Sequence, residues 1–292
     1  MTEFLQIILS GLATGSIYAL AAIGFTLLWQ ASQTINFAQG EFVMLPAFFV
    51  LVGTHVLGLP LIAAMVFALA VSLILLGALF KKLVVEPMLP HGTLPIVIAT
   101  IALGLLMKES VKEFYSAEAQ PFPSLIDDRT FNVLGATIST QDIANLVISM
   151  LVVVALQFFL NGTRTGRSMQ ATAQNPNVAE ILGVNIKTMV MYTFLINAAL
   201  ATIASFLISP IYLAKFSNGE SIGLVAFIAA IVGGFNQVRG ALVGGLLIGV
   251  VDNLAATYVS AQYRAAVPLV LLIIIILVRP QGLLGKAEGR TV

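Results

Sequence analysis

The chain has 292 residues, of which 59% are hydrophobic and 9% are charged, and its formal net charge is +1. A soluble domain carries roughly 25% charged residues, so this composition excludes a soluble globular fold. The near-neutral balance gives no reason to expect nucleic acid as a partner, and the absence of cysteine excludes disulfides and thiol chemistry.

Long runs without charge predict membrane-spanning helices. A span needs about 20 apolar residues, and it must be helical because lipid offers the backbone no hydrogen-bond partner. We expect spans at about 5–29, 37–57, 60–80, 92–110, 141–160, 188–210, 222–237, 240–259 and 265–279. The fold class predicted is an all-α polytopic membrane protein with about eight to ten transmembrane helices. The short seventh and ninth segments are candidates for half-helices or tilted spans.

The first interruption of this pattern is the amide-rich stretch "WQASQTINFAQGEF" at 29–42. Uncompensated amides are costly in hydrocarbon, so Gln33, Asn36, Gln39 and Glu41 should face protein or water. One interpretation is an ordinary solvated loop. The other is an interrupted helix on a translocation path, with Gly40 permitting the break.

A faint internal repeat is a further possibility that the sequence leaves open. "HGTLPIVIATIAL" at 91–103 and "NGESIGLVAFIAA" at 218–230 share four residues at matching places. Transporters often arise by such duplication, but four matches among apolar residues are also compatible with chance.

The placement of Lys and Arg predicts the orientation, because these residues are enriched on the cytoplasmic side. With nine spans, one side receives Lys81, Lys82, Arg164, Arg167, Lys187, Arg239, Arg279, Lys286 and Arg290. The long loop 111–140 falls on the other side and is net acidic, with Asp127 and Asp128 among its acids. The N-terminus would then lie outside and the C-terminus inside. Arg264 and Lys215 do not fit, and an extra broken span near 30–45 would reverse the N-terminus.

The most polar stretch, "GRSMQATAQNPNVAEILGVNIK" at 166–187, lies in the loop of about 162–187 on the inner side. Asn175 can cap a helix, Pro176 suits its first position, and Gly183 can end it in a left-handed conformation. A helix of about two turns is not stable alone in water. Something must therefore pack on Val178, Ile181 and Leu182, either the membrane face of the same protein or the groove of a partner.

Polar residues return near the C-terminus. Asn236 and Gln237 occur in "GGFNQVRGALVGG" at 233–245, and Asp252 and Asn253 lie inside the eighth predicted span. A carboxylate there is expensive unless it is paired or hydrated, so Asp252 is either functional or part of a buried hydrogen bond. Pairs of glycines four residues apart (Gly11/Gly15, Gly240/Gly244 and Gly245/Gly249) indicate close helix packing.

Motifs for metal binding and for catalysis are missing from the sequence. His55 and His91 have no companions at ligand spacing, so no metal site is predicted. The sequence contains no H-E-x-x-H, G-x-S-x-G or G-x-x-x-x-G-K-[ST], so the chain is not expected to be an enzyme or to bind a nucleotide.

Four stretches together resemble one family. They are "GLATGSIYALAAIGFTLLWQASQTINFAQGEF", "TGRSMQATAQNPNVAEILGVNI", "AFIAAIVGGFNQVRGALVGGLLIGVVDNL" and "LVRPQGLLG". They are similar to the permease subunits of bacterial branched-chain amino acid ABC importers, and most similar to the LivH-type subunit. The resemblance runs over nearly the whole chain.

The resemblance implies a single transmembrane permease domain over 1–292 in the bacterial inner membrane. It implies a second, LivM-type permease, two cytoplasmic ABC ATPases that bind ATP and Mg, and a periplasmic binding protein as partners. It also implies that the polar loop is a coupling helix that docks on the ATPase, with matching positions at Arg167, Ala171, Ala173, Asn175, Ala179 and Gly183. Where the family often has Arg in "R-A-x-A", this chain has Gln170, Ala171 and Thr172, so its contacts with the ATPase should be more apolar.

Two alternatives remain open at this point. The same class of importer also carries urea, short amides or other hydrophobic amino acids. A secondary transporter driven by an ion gradient would need acids or bases in the membrane, for which Asp252 is thin support.

Overall fold

The computed structural model describes residues 2–124, 126, 129–133 and 136–285. Asp127, Asp128, Lys286 and Arg290, which contributed to the predicted orientation, lie outside the described residues. The chain divides into two compact units: unit 1 comprises Met1–Thr26, Ile126–Met150 and Leu224–Val292, and unit 2 comprises Leu27–Leu125 and Leu151–Gly223.

Most of the described chain is helical. The helices are α1 (Thr2–Ser32), α2 (Gln39–His55), α3 (Leu61–Ser72), α4 (Glu86–Met88), α5 (Thr93–Phe114), α6 (Thr140–Gly162), α7 (Arg164–Gln174), α8 (Pro176–Ile181), α9 (Ile186–Tyr212), α10 (Asn218–Gly233), α11 (Val238–Tyr258) and α12 (Ala266–Val278). Between α3 and α4 the chain continues as π-helix over Leu73–Leu79 and Lys81–Val85, and short 3₁₀ turns occur at Leu89–His91 and Ala261–Tyr263.

Among the described residues, six helical segments are long and apolar enough to cross a membrane. They are α1, the continuous segment Leu61–His91, α5, α6, α9 and α11. The shorter helices α2, α10 and α12 fall on the remaining three predicted spans. The predicted fold class, an all-α polytopic membrane protein, is therefore confirmed.

Unit 1 contains the glycine contacts that the sequence predicts. A Cβ at Gly15 would lie 2.8 Å from the carbonyl oxygen of Gly245, and a Cβ at Gly249 would overlap the backbone of Gly15. On another face of α11, Gly244 packs with equal closeness on Ala229 of α10. The glycines thus let the backbones of α1, α10 and α11 approach closely.

Unit 2 is built on the antiparallel pair α2 and α3. Phe48, Leu51 and Ala64 are buried in their shared core. The π-helical stretch after α3 packs on α9 through Gly77, where a Cβ would lie 2.9 Å from the side chain of Leu195. The sequence pattern did not indicate this π-helix, because one extra residue per turn leaves the apolar composition unchanged.

Three local features differ from the expectations. The loop 111–140 contains a two-stranded antiparallel hairpin, β1 (Thr130–Val133) and β2 (Ala136–Ser139). A second helix of the polar loop, α7, precedes the predicted one. Gly40 does not break the helix, because it lies within α2. It instead allows a close approach to Gly219, whose backbone a Cβ added at Gly40 would overlap.

Candidate functional site

The break between α1 and α2 occurs at Gln33 rather than at Gly40. Gln33 has a positive φ of 52°, and its backbone N–H donates to the carbonyl of Trp29, which closes the last turn of α1. The next residues run beside α5, where the N–H of Phe37 donates to the hydroxyl of Thr100 at 3.2 Å. Thr100 lies two turns inside α5, so the segment enters unit 2 and does not remain at its surface.

Burial contradicts the interpretation of 33–41 as an ordinary solvated loop. Gln33 is exposed, but Asn36, Gln39 and Glu41 are buried. The side-chain oxygen of Asn36 accepts a hydrogen bond from the N–H of Ala38 at 3.0 Å, which helps to start α2. An interrupted helix with a polar, buried junction is what the second interpretation of this stretch predicts.

Gln39 forms a reciprocal amide pair with Asn197 in the middle of α9. The Gln39 Nε2 donates to the Asn197 Oδ1 at 2.8 Å, and the Asn197 Nδ2 donates back to the Gln39 Oε1 at 2.9 Å. Both side chains are fully buried. Each amide satisfies the other in surroundings that contain little water, so the pair holds the start of α2 against α9.

Glu41 is buried in the first turn of α2, with 7% of its surface exposed. Its Oε2 has no hydrogen-bond partner among the described residues. The carboxylate lies against the backbone of Gly219, in the first turn of α10, and it interacts electrostatically with Lys108 and Glu220. Lys108 and Glu220 themselves form an ion pair with an Nζ–Oε2 distance of 2.8 Å.

Asp252 is paired within unit 1. Arg264 binds both of its carboxylate oxygens, with an Nε–Oδ1 distance of 2.8 Å, and the hydroxyl of Tyr18 donates to Oδ2 at 3.4 Å. Arg264, which did not fit the predicted orientation, is therefore explained by this ion pair. The neighbouring Asn253 has a buried Nδ2 without a described partner.

Asn236 and Gln237 are half-buried in the turn between α10 and α11. Gln237 stands at the residue before α11, and its backbone N–H donates to the carbonyl of Gly234. Of the eight polar residues singled out in the sequence, the structure brings Asn36, Gln39 and Glu41 together in unit 2. Asp252 and Asn253 lie next to each other in unit 1.

The polar loop forms two short helices, α7 and α8, and the second is capped as the sequence predicts. The Asn175 side chain accepts from the N–H of Val178 at 3.1 Å, Pro176 is the first helical residue, and Gly183 follows with φ 84°. The preceding helix, α7, packs closely on the end of α6 at Gly166. A Cβ added at Gly166 would overlap the backbone of Phe159.

The outward face of α8 is apolar and exposed. Val178, Ile181 and Leu182 expose 49%, 84% and 76% of their surface, while Ala179 is buried at 2%. Among the described residues of unit 2, Ile181 and Leu182 therefore have little to pack against, and Val178 is only half covered. Of the other predicted coupling residues, Ala171 and Ala173 are half-buried, and Arg167, Asn175, Pro176 and Gly183 are exposed.

Sequence reasoning missed four residues that complete these clusters: Asn197, Lys108, Glu220 and Arg264. Asn197 carried a usable signal, because it is a lone amide in the middle of the charge-free run 188–214. Lys108 and Glu220 stand at the ends of predicted spans, where charged residues are common. Only their proximity in space to Glu41 distinguishes them.

Comparison with known proteins identifies relatives along most of the chain. Residues 7–276 match a family described as branched-chain amino acid transport system / permease component. The chain is 30% identical to the high-affinity branched-chain amino acid transport system permease protein LivH of Salmonella typhimurium, over 98% of this chain and 96% of that protein. It is 31% identical to the permease protein BraD of Pseudomonas aeruginosa, over 98% and 97% of the two chains.

One solved structure shares the fold. It is described as PsaBC from Streptococcus pneumoniae in complex with Fab, and it matches with a TM-score of 0.50 and 14% identity over 95% of this chain and 92% of that chain. At this identity the match concerns the fold alone.

Proposed function

The chain belongs to the family of branched-chain amino acid transport system permease components, and on that premise we propose that it is the membrane subunit of an ATP-driven importer of branched-chain amino acids. It is a transport subunit and not an enzyme, placed as a multi-pass protein in the bacterial inner membrane. Residues 1–292 would act as one permease domain with a cytoplasmic coupling loop at about 162–187.

The observation that carries the proposal is the apolar, exposed face of α8. Val178 and Ile181 lie on a helix that is capped at both ends, and Leu182 is the residue that follows its last turn. Burying one such side chain in a partner's groove contributes about 1.5–3 kcal/mol. A rigid, capped helix transmits the movement of a bound partner better than a flexible loop, because its contacts can differ between two defined states.

The energy source in this proposal lies outside the chain. The sequence has no phosphate-binding G-x-x-x-x-G-K-[ST] motif, so ATP and Mg would be bound by two partner ATPases docked on α7 and α8. A second, LivM-type permease would complete the membrane part, and a periplasmic binding protein would deliver the substrate. The proposal of these partners is supported by the similarity of the chain to LivH and BraD, which are permease proteins of branched-chain amino acid transport systems.

The translocation path is proposed to run along a subset of the polar residues of the sequence analysis. A zwitterionic substrate needs polar partners for its two charged ends, and Asn36, Gln39 and Glu41 form a buried polar junction. Gln33, Asn236, Gln237 and Asn253 remain candidates. Asp252 is neutralised by Arg264, which also removes the support that an unpaired Asp252 lent to an ion-coupled transporter.

Reconstitution in proteoliposomes tests the function. The chain is purified with its second permease, the ATPases and the binding protein, and uptake of radiolabelled leucine and urea is measured. We expect leucine uptake that requires both ATP and the binding protein. Uptake driven by an imposed proton or sodium gradient without ATP, or ATP-driven uptake of urea in place of leucine, contradicts the proposal.

A further inference from the structure

The charges around Glu41 do not balance. Three ionisable side chains meet where α2, α5 and α10 come together: the carboxylates of Glu41 and Glu220 and the ammonium of Lys108. The Lys108 ammonium is already paired with Glu220 at 2.8 Å, so among the described residues the carboxylate of Glu41 has no ion pair of its own, and its Oε2 has no hydrogen-bond partner. Burying a carboxylate without a partner costs free energy, so the presence of Glu41 at this position indicates a function for it.

Glycines shape the surroundings of this carboxylate. A Cβ at Gly219 would overlap both carboxylate oxygens of Glu41, and a Cβ at Gly104 would approach its Cγ to 3.7 Å. The carboxylate of Glu41 therefore requires glycine at Gly219, whereas a Cβ at Gly104 would make an ordinary van der Waals contact with it. The first turns of α2 and α10 both favour a negative charge, but the effect of a helix terminus is typically only 0.3–1 kcal/mol.

The two partners of Lys108 differ strongly in exposure. The side chain of Glu220 is 74% exposed, that of Lys108 is 20% exposed, and Glu41 is buried. The cluster thus extends from a buried carboxylate, through a lysine, to a carboxylate at the surface. Since Glu220 is exposed to solvent, its attraction to Lys108 is screened, and another carboxylate can take its place on the ammonium group.

A narrow crevice lies one turn from Glu41 in unit 2, and it is closed in this structure, without room for a water molecule. Its lining is mixed: Val43, Met44, Ala47, Ile208, Ala214 and Ile222 are apolar, whereas Ser209, Lys215 and Asn218 are polar. Met44 follows Glu41 by three residues on α2, so these two side chains lie on the same face of that helix. The cluster therefore combines a buried carboxylate whose Oε2 has no hydrogen-bond partner among the described residues with a lysine whose partner carboxylate is exposed.

Resting on the proposed function, we infer that Glu41 and Lys108 form a binding site for the zwitterionic backbone of the transported amino acid. Glu41 receives the substrate's α-ammonium group. Lys108 receives its carboxylate, which takes the place that Glu220 occupies in the substrate-free chain. No covalent step is involved.

Charge-removing variants in the complete reconstituted complex test this assignment. Leucine uptake is measured for Glu41→Gln, Lys108→Met and Glu220→Gln, with copurification of all subunits as the check on assembly. A hydrogen bond to a charged group contributes about 1.5–3 kcal/mol, so Glu41→Gln and Lys108→Met should each reduce uptake on the order of 10- to 100-fold. Glu220→Gln should raise uptake at low leucine, because it removes the carboxylate that competes with the substrate.

The control is Glu109→Gln, which removes an exposed carboxylate that pairs with Lys112 on the same helix. It should transport like the wild type. If Lys108 and Glu220 form only a structural ion pair, Lys108→Met and Glu220→Gln reduce uptake equally and Glu41→Gln has no effect, which overturns the inference. The same holds if fully assembled Glu41→Gln transports at the wild-type rate. By contrast, a wild-type complex without ATP-dependent leucine uptake contradicts the proposed function itself.

Discussion

Replacing Ile181 with alanine should weaken the docking of the ATPase without changing the stability of the permease. Ile181 exposes 84% of its surface, so its side chain contributes little to the packing of the folded permease. Substitutions at such positions usually change stability by less than about 0.5 kcal/mol, and alanine is the better helix former. The variant should therefore insert and fold normally.

The effect on docking follows from the apolar surface that is lost. Ile181→Ala removes three carbon atoms at about 0.8 kcal/mol each, of which the exposed 84% is available to a partner. The expected loss is about 2 kcal/mol, which corresponds to a roughly 30-fold weaker association with the ATPase. Ile181→Asp should weaken the association further, because it places an unpaired charge in an apolar groove.

The assay measures the affinity of the purified ATPase for the permease pair in lipid nanodiscs. Leu57→Ala is the matched control, since Leu57 is an apolar residue with 52% exposure that follows α2, on the opposite side of the predicted topology. Equal ATPase affinity for the wild type, Ile181→Ala and Ile181→Asp would refute the assignment of α8 as the docking helix.

Three further predictions concern topology and packing. A cysteine at Asn177 should react with a membrane-impermeant thiol reagent only after the inner side is opened, whereas a cysteine at Ser124 should react from outside. Asn197→Leu should lower the free energy of unfolding by about 1–3 kcal/mol, because it leaves the buried amide of Gln39 without a hydrogen-bond partner. Adding Gln39→Leu should recover most of that loss, because the unsatisfied amide is then removed. Gly249→Leu should abolish assembly, because no side chain fits between α11 and the backbone of Gly15.

Each of these has its own control or contradicting result. The chain has no native cysteine, so labelling at Asn177 in sealed spheroplasts would overturn the predicted orientation without ambiguity. Double-variant stability below that of Asn197→Leu would show that the amide pair does not act as a unit. Gly162→Ala is the packing control, because its added Cβ meets only an ordinary contact of 3.7 Å to Phe158.

The class of the protein and the positions of its helices are local properties, and the sequence by itself determines them. A charge-free run must form a helix in lipid wherever the rest of the chain lies, so all nine predicted spans correspond to helices. The ends of α8 follow the same logic, since Asn175, Pro176 and Gly183 act on backbone groups within a few residues of themselves. The glycine pairs of α1 and α11 also indicated close packing correctly.

Only the tertiary structure decided which polar residues are buried and what they contact. Gln39 meets Asn197 across 158 residues, and Asp252 meets Arg264 across a turn whose path the sequence does not specify. Gly40 was interpreted as a breaking residue, whereas it serves the close approach of α2 to α10. The identity of a residue does not reveal which distant residues it will contact. Its hydrogen bonds and ion pairs depend on how whole helices pack against one another. The missing hydrogen-bond partner of the Glu41 Oε2 among the described residues likewise results from how α5 and α10 pack beside α2.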